Sequence, residues 1–293
     1  MMRRIGRRIR QRGLSWTRPM RKLRTGQYAQ LVDYHIHTHL CGHAVGEPED
    51  YVRAALALGL GEIGFSDHMP LLRRREERLT MAPDDLPVYV QLVRDLQASV
   101  DGLAIRLGIE MDYLPGQMDE IREAAAPYDF DYVIGSVHSL EGWDLSDSRF
   151  VSSWRGKDPN EVFPTYFEAF VEAVEEGGFD FMAHPDLVKK HGILPTRPMT
   201  RWYEAAADAL AANDVAIEIN TSGIRKRIAE PYPTIAFLSA CAERDVAVTL
   251  GSDAHAPGQV GMDFDVALSL LRRVGISRIA VFEGRKRTTR VLP

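Results

Sequence analysis

The sequence predicts one α/β domain, a parallel barrel of βα repeats closed on itself. Three observations carry that prediction. Short β-branched or apolar runs alternate with helically periodic segments from Leu31 onward. No linker interrupts the alternation, so seven or eight repeats in series fit one barrel better than two domains. The residues best suited to chemistry recur at the ends of the runs, the rim on which a parallel barrel builds its site.

Taken in order, Leu31–His35 opens the series as a strand that ends on an imidazole. Pro48–Leu58 follows as a helix, with a proline and two acids in its first turn and Gly59 just past its end. Glu62–Ser66 is the second strand, and Asp84–Val100 spaces its apolar residues as a helix does. Ile105–Ile109 and Tyr132–Ser136 are the next two strands, separated from a strand at Phe179–Ala183 by the helical pattern Asn160–Glu176. Thr200–Ala212 is helical, and Val215–Ile219 and Val246–Leu250 are β-branched runs of strand length. Asp265–Val274 returns to helical spacing, and Arg278–Phe282 is an eighth strand or an edge segment.

Composition sets the outer limits. A chain of 293 residues, 45% apolar and 26% charged, can bury a large core. It contains no apolar run of about 18 residues, which excludes a spanning helix. Two cysteines, Cys41 and Cys241, exclude a disulfide scaffold and fit a reducing, cytoplasmic setting. The net charge of −5 conceals an uneven distribution, because ten of the 36 basic residues and none of the 41 acids fall in residues 1–26. The body is therefore strongly acidic and a poor partner for duplex DNA. Residues 1–28 lack the apolar segment of a secretory signal and are expected to be a disordered basic leader, with residues 29–293 as the barrel. An arm for nucleic acid or an anionic surface, or an organelle presequence, is the other reading of that leader.

Seven of the nine histidines fall at equivalent positions. His35 and His37 end the first strand, and residues i and i+2 of an extended chain share a side. His43 follows a short loop, His68 closes the second strand, Glu110 the third, His138 the fourth and His184 the fifth; Asp253 and His255 follow the seventh. A single imidazole at a strand end is ordinarily a polar group bonded inside the core. Seven such coincidences are a pattern. Imidazoles with few carboxylates and no cysteine spacing suit Zn, Mn or Fe rather than Ca or an iron–sulfur cluster. Nine candidate ligands exceed one tetrahedral ion, so more than one metal is expected. Cys41 reads as loop packing, His39 as loop support, and His191 as a residue of the mouth or the solvent face.

The motifs Asp33-Tyr34-His35-Ile36-His37-Thr38-His39, Phe65-Ser66-Asp67-His68, Gly108-Ile109-Glu110-Met111-Asp112-Tyr113, Gly135-Ser136-Val137-His138, His184-Pro185-Asp186 and Gly251-Ser252-Asp253-Ala254-His255 resemble those of the PHP (polymerase and histidinol phosphatase) superfamily. Gly142-Trp143, Glu218-Ile219-Asn220-Thr221-Ser222-Gly223 and Glu230-Pro231-Tyr232-Pro233 extend the similarity to its histidinol-phosphate phosphatases, over about residues 31–284. The resemblance implies a distorted seven-stranded βα barrel and three divalent ions. His35, His37, Glu110 and Asp253 would hold the first, Glu110, His138 and His184 the second, and His43, His68 and His255 the third. It also implies release of phosphate from L-histidinol phosphate, a small-molecule ester, by a hydroxide formed between ions that Glu110 bridges.

Phosphoryl transfer also needs cations and proton carriers. Arg225, Lys226 and Lys189 are the expected phosphate contacts, with Lys190 beside them. Asp67 is expected either to orient His68 or to donate a proton, and Glu110 and Asp253 are the other catalytic carboxylates. Trp143, with Trp154, either walls an imidazole pocket or packs its loop. Arg73-Arg74-Arg75 is either a lid or a solvated loop tip. Two alternatives stand beside histidinol phosphate: another phosphomonoester or nucleotide in the same site, and a nucleic-acid module that uses the basic leader.

Overall fold

The computed structural model describes residues 26, 28–73, 78–140 and 142–293. Most of the basic leader, together with Arg74 and Arg75 of the arginine run, lies outside the described residues.

The chain enters on β1 (Val32–Ile36), then α1 (Pro48–Leu58), β2 (Glu62–Phe65), α2 (Leu86–Ser99) and β3 (Ala104–Asp112). It continues through α3 (Met118–Ala125), β4 (Tyr132–Ser136), a small hairpin of β5 (Ser139–Leu140) and β6 (Trp143–Asp144), and α4 (Pro159–Glu176). It then runs through β7 (Phe181–Met182), α5 (Thr200–Ala212), β8 (Ala216–Asn220), α6 (Ile235–Ala242), β9 (Val248–Gly251) and α7 (Phe264–Arg273). It ends on β10 (Arg278–Glu283) and β11 (Lys286–Val291).

Seven strands form one parallel sheet in the order β1-β2-β3-β4-β7-β8-β9. Beyond β9, the Ala254 amide bonds the His35 carbonyl at 3.0 Å and the His37 amide bonds the Ala254 carbonyl at 2.9 Å. Those two bonds bring the last strand's continuation onto the first and nearly close the barrel. The expected (βα)7 architecture is what the chain adopts.

The interior is closed by aromatic rings. Tyr132 crosses the barrel so that its hydroxyl donates to the Tyr34 carbonyl at 2.8 Å. The ring has room only because Gly64 and Gly108 face it; a Cβ at either would lie 2.0 and 2.2 Å from Tyr132 atoms. Arg278–Phe282 is not an eighth barrel strand. It pairs antiparallel with β11, and Phe282 packs against Tyr34, Tyr132 and Phe181. Arg285 and Arg287 of the same hairpin pair with Asp180 and Asp214, which precede β7 and β8. The hairpin therefore plugs the N-terminal mouth and leaves the C-terminal rim open for chemistry. Among the described residues, no helix is long and apolar enough to cross a membrane.

Candidate metal centre

Glu110 is the hub. It lies within β3 rather than at its end, since Met111 and Asp112 continue the pairing with β4. Its side chain is buried, and its two oxygens face different groups of imidazoles. Oε1 lies 3.1 Å from His184 Nε2 and 3.6 Å from His138 Nε2. Oε2 lies 3.2 Å from His35 Nε2, 3.7 Å from His37 Nε2 and 2.9 Å from His68 Nδ1. Asp253 Oδ1 stands beside the second group, 3.4 Å from His37 Nε2 and 4.0 Å from His35 Nε2. His43, His68 and His255 form a further cluster nearer the surface, in which His43 Nε2 and His255 Nε2 face each other at 2.9 Å. The structure thus brings all nine expected ligands to one place. His68 stands between the clusters, within reach of both Glu110 and the outer pair.

The donor chemistry fits cations. His37 Nε2 and His184 Nδ1 are buried with no hydrogen-bond partner among the described residues, an expensive condition unless a further group meets them. Burial, then the neighbouring His68 and His37, lowers the His43 pKa to about 4, so its lone pairs are available at neutral pH. His35 behaves oppositely: burial disfavours its charge, but Glu218, Glu110 and Asp253 outweigh burial and hold its pKa well up. His138 is raised to about 9, Asp112 and Glu110 overcoming burial. Burial also opposes ionisation of Glu110, yet His68, His35 and His138 hold its carboxyl well below the usual range. Carboxylates thus keep positive charge at this centre, and a divalent ion supplies that charge without the protons.

Backbone geometry is set to the same end. His184 has φ 27° and Asp253 φ 52°, left-handed values that cost a residue with a side chain roughly 1–3 kcal/mol. Fixed partners hold both turns. The His184 amide donates to Glu218 Oε2 at 2.9 Å. Beside Asp253, Ser252 is anchored to Asp33 through its amide at 2.8 Å and its hydroxyl at 2.6 Å.

A cavity of about 630 Å³ opens over the centre, with Lys190, Lys226, Asp144, Asp147 and Tyr232 on its walls. Lys226 is where a phosphate contact is expected. Two other expected phosphate contacts, Lys189 and Arg225, lie off that wall, and Asp67 and Trp143 each take one of their two expected roles. Lys189 is buried, paired with Asp186 at 3.1 Å and bonded to the Pro231 carbonyl at 2.9 Å, so it braces the loop while Lys190 reaches the cavity. Lys189→Ala would strand Asp186 as a buried unpaired charge, and denaturant unfolding should read a loss of about 3–5 kcal/mol. A loss below about 1 kcal/mol would mean the pair is not what holds that loop.

Arg225 is also absent from the cavity wall. Its Nη2 donates to the carbonyls of Ser252 at 2.7 Å and Asp253 at 3.3 Å, clamping the turn that presents Asp253. Asp67 is fully buried and off the cavity wall, so it cannot hand a proton to a substrate. It accepts from Thr38 and from the His68 amide at 3.0 Å and lies 3.5 Å from His37 Nδ1, which orients the ligands around it. Trp143 packs edge-to-face on Trp154 at 5.1 Å with Lys157 over its ring, so it holds the loop and does not line the cavity over the centre. Arg73 is exposed and bonds Glu120 at 2.8 and 3.0 Å, away from the cavity. Cys41 is buried, as loop packing requires.

Two residues with clear positions carry no role in the sequence reading. Asp112 Oδ1 lies 2.5 Å from His138 Nδ1, and Glu218 Oε1 lies 2.9 Å from His35 Nδ1. Asp112 could have been found from strand alternation, since it lies two residues beyond Glu110 on the same face of β3. Glu218 sits inside a motif already singled out, but nothing local says which imidazole it meets.

A parallel barrel whose C-terminal rim gathers seven imidazoles, five of them around one buried glutamate, has the ligand set of a metal-dependent hydrolase. Residues 33–222 match the PHP domain, and the chain belongs to that family. Its relatives are more specific. A protein of Deinococcus radiodurans named "Probable histidinol-phosphatase" is 39% identical over 257 residues, covering 87% of this chain and 98% of that protein. The histidinol-phosphatase of Lactococcus lactis is 26% identical over 263 residues, covering 87% and 95%. A crystal structure of histidinol phosphate phosphatase from Lactococcus lactis, complexed with zinc, L-histidinol and phosphate, superposes with a TM-score of 0.77 at 25% identity, covering 88% of this chain and 99% of that one.

Proposed function

We propose that the chain is a histidinol-phosphatase, hydrolysing L-histidinol phosphate to L-histidinol and phosphate. The observation that carries this reading is the centre itself: nine ligand-type side chains converge beneath a cavity of about 630 Å³ in a chain whose relatives, matched over nearly their full length, include proteins named histidinol-phosphatase. Three divalent transition ions would be held as follows. His35, His37, Asp253 and Glu110 take the first, Glu110, His138 and His184 the second, and His43, His68 and His255 the third. Zinc, present in the Lactococcus structure, leads manganese and iron as the candidate. Such ions supply Lewis acidity, lowering the pKa of water from about 15.7 toward about 7 and neutralising phosphoryl charge.

The chain's own residues do the rest. Lys226 and Lys190 present cations to the phosphate from the cavity wall. Burial and then Lys226 lower the Lys190 pKa to about 8, so its ammonium persists at neutral pH. Asp253 is the more open of the two ligand carboxylates; it accepts from Ser222 Oγ at 2.9 Å, and although burial opposes its charge, His35, His37 and His255 hold its carboxyl well below the usual range, so it stays ionised. Glu110, closed off from solvent, stays ionised and joins the two inner ligand groups. Two free, buried cysteines suit a reducing cytoplasm.

A substrate panel tests the assignment. The kcat/KM for L-histidinol phosphate should exceed that for p-nitrophenyl phosphate and nucleoside monophosphates by on the order of 100-fold. Equal values across the panel would point instead to a general phosphomonoesterase of the same family.

A further inference from the structure

The cavity holds more carboxylates than the ligand set uses. Besides Glu110 and Asp253, it is lined by Asp112, Asp144 and Asp147. Two of these are already engaged. Asp112 is taken by His138 Nδ1 and by Ser136 Oγ at 3.0 Å. Asp147 accepts from Arg149 Nε at 2.5 Å and from the Arg149 amide at 2.7 Å.

Asp144 differs. It ends β6, is 9% exposed, and is fixed in place through one oxygen only. Its Oδ1 accepts from the Ser146 amide at 2.7 Å, Ser146 Oγ at 2.8 Å and the Asp147 amide at 3.0 Å. Its Oδ2 has no hydrogen bond among the described residues. Lys190, on the same wall, gives its hydrogen bond to the Ser146 carbonyl and meets the Asp144 charge only through space. Capping this turn needs one acceptor oxygen, which asparagine would provide equally well. A buried negative charge with a spare oxygen on a cavity wall is costly unless a cation meets it there.

We propose that Asp144 receives the ammonium group of the substrate, so that the site selects phosphate esters of amino alcohols over esters lacking the amine. The proposal rests on the histidinol phosphate assignment and deepens it. In an ester of this kind the phosphate oxygen and the ammonium nitrogen are borne by adjacent carbons. A phosphate seated at the ligand cluster and Lys226 therefore carries its ammonium only a few ångströms away. Asp144 borders that cluster: it lies opposite Ser139, the neighbour of His138, in the β5–β6 hairpin, the Leu145 amide donates to the His138 carbonyl at 2.7 Å, and both side chains line the cavity. The pairing is a charge-assisted hydrogen bond inside a partly closed cavity, the kind of contact that discriminates against an analogue lacking the donor.

Asp144→Asn separates the two roles of the side chain, because the amide keeps the capping oxygen and loses the charge. The substrates are L-histidinol phosphate, its des-amino analogue 3-(imidazol-4-yl)propyl phosphate, and p-nitrophenyl phosphate, with metal content measured for each protein. Wild type should prefer the amine-bearing ester over the des-amino ester. In the variant, KM for L-histidinol phosphate should rise about 10–100-fold while kcat/KM for the des-amino ester stays within about twofold and metal content is unchanged. A variant that retains the wild-type preference, or that loses both imidazole esters alike, overturns the role of Asp144. A wild type that handles neither imidazole ester better than p-nitrophenyl phosphate overturns the substrate assignment beneath it, and the proposal with it.

Discussion

Glu110→Gln should abolish turnover, lowering kcat by about 10⁴-fold or more, while near-UV circular dichroism remains native. The carboxylate is the one side chain whose two oxygens meet two imidazole groups, His138 and His184 on one side and His35, His37 and His68 on the other. An amide keeps the volume but offers one acceptor and one donor. The donor end must then face either the His184 pair or the His35 group, and an ion held by the imidazoles on that side would lose its anionic ligand. The charge deficit is as serious as the geometry, since Glu110 is fully ionised in a place where five imidazoles surround it. His184→Ala should act through the same shared oxygen and give a loss of similar order. Metal analysis after dialysis against a mild chelator distinguishes this cause from collapse of the fold: the folded variant should retain fewer ions than wild type. Near-normal activity in either metal-replete variant would remove Glu110 from the centre of the chemistry.

Much of this was legible in the sequence because the barrel makes it so. In a parallel barrel every strand delivers its C-terminal end to the same rim, so residues scattered from His35 to His255 converge without any long-range information. β4, α1 and α5 are read to the residue because β4 is a short run buried at every position, while the two helices bury apolar residues at helical spacing. What escaped has equally physical reasons. α6 is apolar on every side (Ile235–Ala242), so it shows no helical period, and the mostly polar α3 exposes only Met118, Ile121 and Ala125 as its buried stripe. β7 is just two residues long, because His184 turns the chain through a left-handed conformation immediately afterwards.

Of the expected phosphate contacts, Lys226 lines the cavity while Lys189 and Arg225 lie off its wall, for a related reason. Lys189 and Lys190 are neighbours, and in the one-turn 3-10 helix Leu187–Lys189 one of them faces Asp186 while the other faces the cavity. Sequence shows two lysines after a strand; only packing says which is used. Arg225 lies in the short helix Thr221–Arg225, which turns its guanidinium onto the Ser252 and Asp253 carbonyls. Its Nη2 thus holds the turn that presents Asp253, while Nη1 is buried with no partner among the described residues.

The ligand imidazoles also divide into two kinds by what stands behind them. His35, His37 and His138 each have a carboxylate near Nδ1, from Glu218, Asp67 and Asp112 respectively. His43 has a backbone carbonyl there, that of Cys41 at 2.9 Å. A carboxylate behind an imidazole fixes its tautomer and makes the outward nitrogen a better donor. His35, His37 and His138 are thus prepared from behind, whereas Nδ1 of His184 has no partner among the described residues.

Glu218 offers the sharpest test of that preparation, because it supports two inner ligands at once. Oε1 accepts from His35 Nδ1 at 2.9 Å, and Oε2 accepts from the His184 amide and Asn220 Nδ2, both at 2.9 Å. The fit is close enough that Gly251 has no alternative, since a Cβ there would lie 1.7 Å from Glu218 Oε1. In Glu218→Gln the amide oxygen is drawn to the position with two donors, so the NH₂ turns toward His35 Nδ1. That nitrogen must then accept, its proton moves to Nε2, and Nε2 is the atom that faces Glu110 at 3.2 Å. The variant should stay folded, bind its ions about 100-fold more weakly by competition with a chromophoric chelator, and lose activity that excess metal restores only in part. Glu218→Ala, which leaves His35 free to choose its tautomer but frees the His184 turn, should lose more stability and bind metal no better than the glutamine variant. If the glutamine variant holds its ions as tightly as wild type, the orientation of His35 is set by the metal itself and not by this carboxylate.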